Sequence, residues 1–235
     1  MICRSLICFS LAAFTVSGAA LSGTVVLRDS RIDAVNKRKD FSGVVVSAQP
    51  LNGPVPPLPA THATMLQKGK TFMPHVLPVM AGTTVDFPNS DPIFHNAFSS
   101  YSGQIFDVGL YPPGTSRSVR FTRPGVLRVF CNIHPAMSAI MLVLTTPYFV
   151  KTAKNGAFEM DVPPGEYELS VFHERAAERE LAGLARRIVV SEPDLRVPPI
   201  TISEAGYLVA PHKNKYGREY PPATDDQVFY PGVRN

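Results

Sequence analysis

The sequence predicts an all-β protein, and three observations carry that expectation. Short runs rich in Val, Thr and Phe alternate apolar and polar residues along much of the chain, the pattern of half-buried strands. Breakers are plentiful, with 23 Pro and 16 Gly in 235 residues, which suits many short strands joined by turns. The one stretch with a helical reading, residues 174–187, is short and is weakened by Gly183. Hydrophobic residues make up 45 %, enough for packed cores, and the net charge of +4 is mild and spread out, so no nucleic-acid partner is implied.

The N-terminus, residues 1–20, reads as a secretory signal. Arg4 supplies the positive start, residues 6–16 the apolar core, and Ser17-Gly18-Ala19-Ala20 the small residues for cleavage. The apolar run is too short to span a bilayer, and no later run is longer. The expected product is exported, periplasmic or secreted, without a membrane span. Cys3 and Cys8 leave with the signal, and Cys131 is left alone. A single cysteine in an oxidising compartment is buried, reactive or metal-bound.

Strands are expected at residues 21–27 and 41–48, separated by a charged loop. Five prolines between residues 49 and 60 make a stiff linker. A second β-rich block follows. It has strand character over residues 71–80, at Val85 and Phe87 after the Gly82 turn, at 116–121, and again at 126–131 after the Pro124-Gly125 turn. Period two puts Leu127, Val129 and Cys131 on one face, so the thiol arrives on the core side. Residues 138–144 close the block. Beyond Tyr148, residues 152–162 read as strand, Asn155-Gly156 turn and strand. Pro163-Pro164-Gly165 is a further turn, residues 167–171 alternate again, and 188–190 and 199–202 are late strands. Residues 204–235 form a polar tail, and its basic cluster at 212–218 reads as a solvated face.

Cys131 is followed by His134 at +3 and Met137 at +6, and His95 lies about forty residues upstream. Each alone has an ordinary reading: a small buried thiol, a turn histidine, a core methionine. Together they make one thiolate, two imidazoles and a weak thioether, the donor set of a blue-copper electron-transfer site. With the strands before and after it, this arrangement over roughly residues 60–146 resembles the cupredoxins, and the Cys-x-x-His-x-x-Met spacing is like that of amicyanin. The resemblance implies a Greek-key β-sandwich over 58–146 and one copper per chain, held by His95, Cys131, His134 and Met137. It also implies that Asn96 ties the two ligand loops together by hydrogen bonds, and that electrons leave through the His134 edge. Here that edge would be framed by an apolar patch of Pro135, Ala136, Tyr111 and Pro112.

Other motifs fail. His173-Glu174 lacks a second histidine at +4, Thr64 stands where the first glycine of a phosphate loop belongs, and no paired Cys-x-x-Cys exists for structural zinc. His75 reads as a strand residue near the sandwich end, the alternative being a second, weak copper site with Met73, and His62 and His212 read as exposed.

The Gly156-x-Phe158 strand and the Pro163-Pro164-Gly165-x-Tyr167 turn resemble the carboxypeptidase-regulatory-like, or transthyretin-like, sandwich. That family begins with two strands of the kind seen at 21–48. The resemblance therefore implies a smaller, discontinuous sandwich from 21–53 and 147–203, with the copper block inserted between; the alternative is a linear order, with residues 21–53 lying as extra strands on the copper block. The combination resembles proteins labelled methylamine utilisation proteins. The expected function is a one-electron carrier, not an enzyme, serving a periplasmic redox partner protein. The alternative is a carbohydrate- or protein-binding module in which copper is stored or structural.

Overall fold

In this computed structural model, residues 19–53, 55, 61–100, 103–191, 194–207 and 212–220 are described. They form an all-β structure with two short helices, Asp33–Asn36 and Glu178–Leu184. The signal expected at 1–20 falls mostly outside the described residues. Its last two residues, Ala19 and Ala20, open the first strand opposite Val162 and Asp161. No helix among the described residues is long and apolar enough to cross a membrane.

One core joins the two ends of the sequence. The strand Ala19–Arg28 pairs antiparallel with Ala157–Val162 and parallel with Leu195–Arg196 and Ile200–Ser203. A second sheet runs in the order Phe149–Lys151, Val45–Pro50, Gly165–Phe172, Arg186–Val190. Leu21, Val25, Phe158 and Ile202 from the first sheet pack on Val46, Ala48, Leu169 and Val190 from the second. Alternation explains this: the buried positions of Ala19–Arg28 recur every second residue.

The Asn155-Gly156 turn closes locally, with Ala153 N donating to Ala157 O at 2.9 Å and Gly156 N to Ala153 O at 2.8 Å, but the strands on either side of it do not pair with each other. Phe149–Lys151 pairs with Val45–Pro50 in one sheet, whereas Ala157–Val162 pairs with Ala19–Arg28 in the other. The turn thus carries the chain between sheets. Gly156, at φ +78°, lies so close to the Val25 carbonyl that a Cβ would stand 2.0 Å from its oxygen, and its own carbonyl accepts a hydrogen bond from Val25 N at 2.8 Å. A long-range backbone contact decides the path here, where a local turn rule does not.

The second core holds the candidate site. Its larger sheet has the order Val76–Met80, Ser138–Leu144, Gly125–Phe130, Phe98–Ser99, Phe106–Asp107. The facing sheet has Ser116–Arg120, Thr84–Pro88 and His62–Thr64. Val85 and Phe87 meet Leu127, Val129 and Met141 across the gap, with Phe121 and Tyr111 filling it. The face read from period two is confirmed: Leu127, Val129 and Cys131 are all buried, while Arg128 between them is exposed.

Candidate metal centre

Two chain segments meet at one end of the second core. The first follows the strand Thr84–Pro88. Asn89 shapes it, donating from Nδ2 to Ile93 O at 2.8 Å and accepting at Oδ1 from Asp91 N at 3.0 Å. His95 then pairs antiparallel with Tyr111: His95 N donates to Tyr111 O at 3.1 Å, and Tyr111 N to His95 O at 2.9 Å. Tyr111 is in turn pinned in the core. Its hydroxyl donates to Phe87 O at 2.8 Å and accepts from Gln67 Nε2. The imidazole of His95 therefore has a fixed backbone beneath it.

The second segment is the loop between the paired strands Gly125–Phe130 and Ser138–Leu144. Cys131 N donates to Met137 O at 3.1 Å, and Met137 N to His134 O at 3.0 Å, so the loop folds back on itself within seven residues. Cys131 and Met137 are fully buried and His134 is half-buried.

The side chains converge. His95 Nδ1 lies 3.1 Å from His134 Nδ1, and Cys131 Sγ lies 3.5 Å from His134 Nδ1 and 3.9 Å from His95 Nδ1. Among the described residues, His95, Cys131 and His134 form the group of histidine, cysteine and carboxylate side chains close enough to hold one metal ion. Imidazole and thiolate bonds of about 2.0 and 2.3 Å allow donors on one ion to stand at most about 4.3 Å apart, and every side of this triangle is shorter. One thiolate with two imidazoles also matches the donor preference of copper. The three residues fit the group.

Hydrogen bonding fixes which nitrogen is presented. His95 Nε2 donates to Asp91 Oδ2 at 2.8 Å, which leaves Nδ1 as a bare lone pair facing the sulfur. Asp91 is itself held by Gly69 N at 2.6 Å and Lys70 N at 2.8 Å. Burial opposes its ionisation, but the Lys70 N–H, His95 and the Gly69 N–H together keep its carboxyl below the usual range. Burial pushes the Cys131 thiol up, while the backbone N–H groups of Ile133, Asn96 and His134 pull the other way by favouring thiolate. Burial, then the neighbouring His95, lowers His134 to about 4, and burial lowers His95 despite its Asp91 partner. The metal-free site thus keeps both imidazoles neutral and ready to ligate.

Several sequence expectations meet a different geometry. Asn96 reaches the sulfur through its backbone N–H. Its side-chain amide instead donates to Asp107 Oδ1 at 2.7 Å and Gly109 O at 2.9 Å, and its Oδ1 is buried without a partner. Tyr111 is 0 % exposed, which removes it from any surface patch; its hydroxyl needs the core partners just described. Pro135 and Ala136 are exposed and Pro112 is half-buried. His212 is half-buried. It stacks on Phe130 with ring centroids 3.9 Å apart and donates from Nε2 to Pro135 O at 2.8 Å. The basic cluster around it folds against the ligand loop on one side, through His212 and Lys215, while Lys213 and Arg218 remain exposed as a solvated face. His75 bonds Glu174 at 2.7 Å, and His62 bonds Asp86 at 3.2 Å.

Two residues join the site beyond those expected. Asp91 is signalled in the sequence only by a carboxylate four residues before His95. Tyr220 donates its hydroxyl to Cys131 O at 2.8 Å, and nothing local in the sequence points to that contact.

No family model matches the chain, and no curated protein matches it. Solved structures similar to parts of it include the copper-containing nitrite reductase of Thermus scotoductus SA-01, with 29 % identity, a TM-score of 0.35, 41 % of this chain covered and 25 % of the other. A purple cupredoxin from Nitrosopumilus maritimus has 22 % identity and a TM-score of 0.32, covering 36 % of this chain and 99 % of its own. A reduced amicyanin variant has 18 % identity and a TM-score of 0.34, covering 42 % of this chain and 99 % of its own. The chain thus spans about a quarter of the nitrite reductase and nearly all of the cupredoxin and of that amicyanin.

Proposed function

We propose that the protein is an exported, periplasmic or secreted, one-electron carrier with one copper ion per chain, held by His95, Cys131, His134 and Met137. The observation that supports this most is the buried triangle of Cys131 Sγ and two imidazole Nδ1 atoms, with sides of 3.1, 3.5 and 3.9 Å. Copper, when bound, supplies a one-electron couple. The chain's part is to hold donors that suit both oxidation states. Cys131 offers a soft sulfur: burial raises its thiol, three backbone N–H groups offset part of that cost, and a bound metal would hold it as thiolate. Asp91 holds the proton of His95 on Nε2, so that Nδ1 stays free. Met137, fully buried beside the loop closure, would be the fourth and weakest donor, a thioether that tunes potential more than affinity. Burial keeps water from the sulfur, and the exposed Pro135 and Ala136 beside His134 leave a small rigid surface for brief contact with a redox partner protein. Asn96 acts from behind, linking the sulfur to the 107–109 turn. The outer core, from residues 21–53 and 147–203, is in this reading a transthyretin-like support into which the copper block, 58–146, is inserted.

The mature protein given Cu(II) should turn intensely blue at one copper per chain, and Cys131→Ser should abolish the colour. Absorption and metal analysis check this. A blue Cys131→Ser protein, or colourless copper binding by the wild type, would overturn the reading. A redox titration then separates a carrier, which exchanges one electron reversibly, from a store, which does not.

A further inference from the structure

The ligand loop leaves three acceptors facing outward, and a single tail segment meets them all. They are the carbonyls of Cys131 and Pro135 and the side-chain oxygen of Asn132. Tyr220 Oη donates to Cys131 O at 2.8 Å, His212 Nε2 donates to Pro135 O at 2.8 Å, and Lys215 N donates to Asn132 Oδ1 at 3.0 Å. Lys215 Nζ also reaches Asp107 Oδ2 at 2.7 Å, the carboxylate whose other oxygen accepts from Asn96 Nδ2. The tail thereby touches the partners of both ligand segments.

The segment has its own reason to be folded. Asn214 N donates to Arg218 O and Gly217 N to Asn214 O, both at 2.9 Å. Asn214 Oδ1 accepts from Tyr216 N at 3.0 Å and Arg218 N at 3.1 Å. Gly217 takes φ +73°, the left-handed conformation that this reversal needs. The turn brings its two arms together, so that the His212 and Tyr220 rings meet edge to face at 5.2 Å and the Tyr220 hydroxyl lies 3.2 Å from His212 Nδ1. His212 in turn lies flat on Phe130, the last strand residue before Cys131.

We propose that residues 212–220 form a clasp whose His212 and Tyr220 are positioning residues for the metal loop, fixing Cys131 and His134 in place before the ion arrives. The loop's internal hydrogen bonds, Cys131 N to Met137 O and Met137 N to His134 O, hold its base but leave those outer carbonyls free to turn toward water. The clasp grips it at Cys131 and again at Pro135, on either side of Asn132 and of the ligand His134. A loop held at both places loses less freedom on binding metal, and its donors keep their spacing when the charge of the ion changes.

The inference rests on the copper reading, but its test does not need copper. In metal-free, full-length protein, Cys131 can be alkylated by iodoacetamide only when the loop opens, because the thiol is fully buried. Tyr220→Phe keeps the ring and removes one donor, and should speed alkylation about fivefold, the effect of one net hydrogen bond. His212→Ala should do so too, and the double variant more than either. Lys213→Ala, which changes an exposed tail side chain, serves as the control and should match the wild type. In copper-loaded protein, Tyr220→Phe should shift the reduction potential or the charge-transfer band while Lys213→Ala leaves both in place, a difference that stability alone does not produce. Equal alkylation rates in Tyr220→Phe and wild type overturn the clasp. So does an acceleration that Lys213→Ala shares, or one explained wholly by a lower melting temperature. A wild type that never turns blue overturns the copper reading, and the alkylation rates still decide the clasp.

Discussion

The two ligand segments offer the same imidazole atom to the same point but are held in opposite ways. His95 is fully buried, its backbone is bridged to Tyr111 on both sides, and its outer nitrogen is bonded to Asp91. Everything that orients it comes from inside the core. His134 is half-buried on a loop with few internal hydrogen bonds, and the contacts that steady this loop come from the tail beyond residue 211. A buried ligand is fixed by packing and by the cost of leaving a polar group unpaired. A ligand at the rim must be fixed by something laid over it. The difference also suits a carrier. In the proposed carrier the inner histidine would fix geometry, and the outer one, half-buried, would offer the electron its way out.

That contrast can be attacked from the inner side first, where the largest effect is expected. Asp91→Ala removes the partner of His95 Nε2 and the acceptor for Gly69 N and Lys70 N. Copper affinity should fall roughly 10- to 100-fold, the usual cost of losing such a support, while the colour of the loaded protein persists through Cys131. Competition against a chelator of known affinity measures this; an unchanged affinity would mean that the Tyr111 bridge alone orients His95.

Metal-free protein allows the two histidines to be compared directly by pH. His134 sits at about 4 and His95 is also lowered, both chiefly by burial. Between the ordinary imidazole value of about 6.5 and those lowered values, the unfolded chain takes up protons that the folded one refuses. The stability held in these neutral rings is therefore fully present above about pH 6.5 and is lost as the pH falls toward 4. Ring-proton NMR should place the titration of His134 near 4; an ordinary value would mean that the loop is open to solvent.

The smallest effect is expected at Met137→Leu, which keeps the buried volume and drops the proposed weak donor. Copper should remain bound and the reduction potential should rise. Loss of copper would show that the thioether, and not the outer histidine, is the second anchor of the loop.

Much of this was legible in the residues. Period-two alternation is a local consequence of strand geometry, so it correctly put Leu127, Val129 and Cys131 on the buried face and carried the all-β class. The meeting of Cys131 with His134 was legible for a similar reason: they share one loop, and their chemistry is written in their identities. What the tertiary structure alone decided is what depends on segments far apart in sequence. The Asn155-Gly156 turn reads as a hairpin until the Val25 carbonyl, from the first strand, claims the space beside Gly156. Tyr111 reads as surface until its hydroxyl is seen to serve Phe87 and Gln67 inside the core. His212 and Tyr220 read as polar tail because nothing within ten residues of them tells that Pro135 and Cys131 lie beneath. Side-chain periodicity and ligand chemistry are properties of the local chain. Which carbonyl a distant hydroxyl will meet is fixed only when the cores have packed and brought the two together.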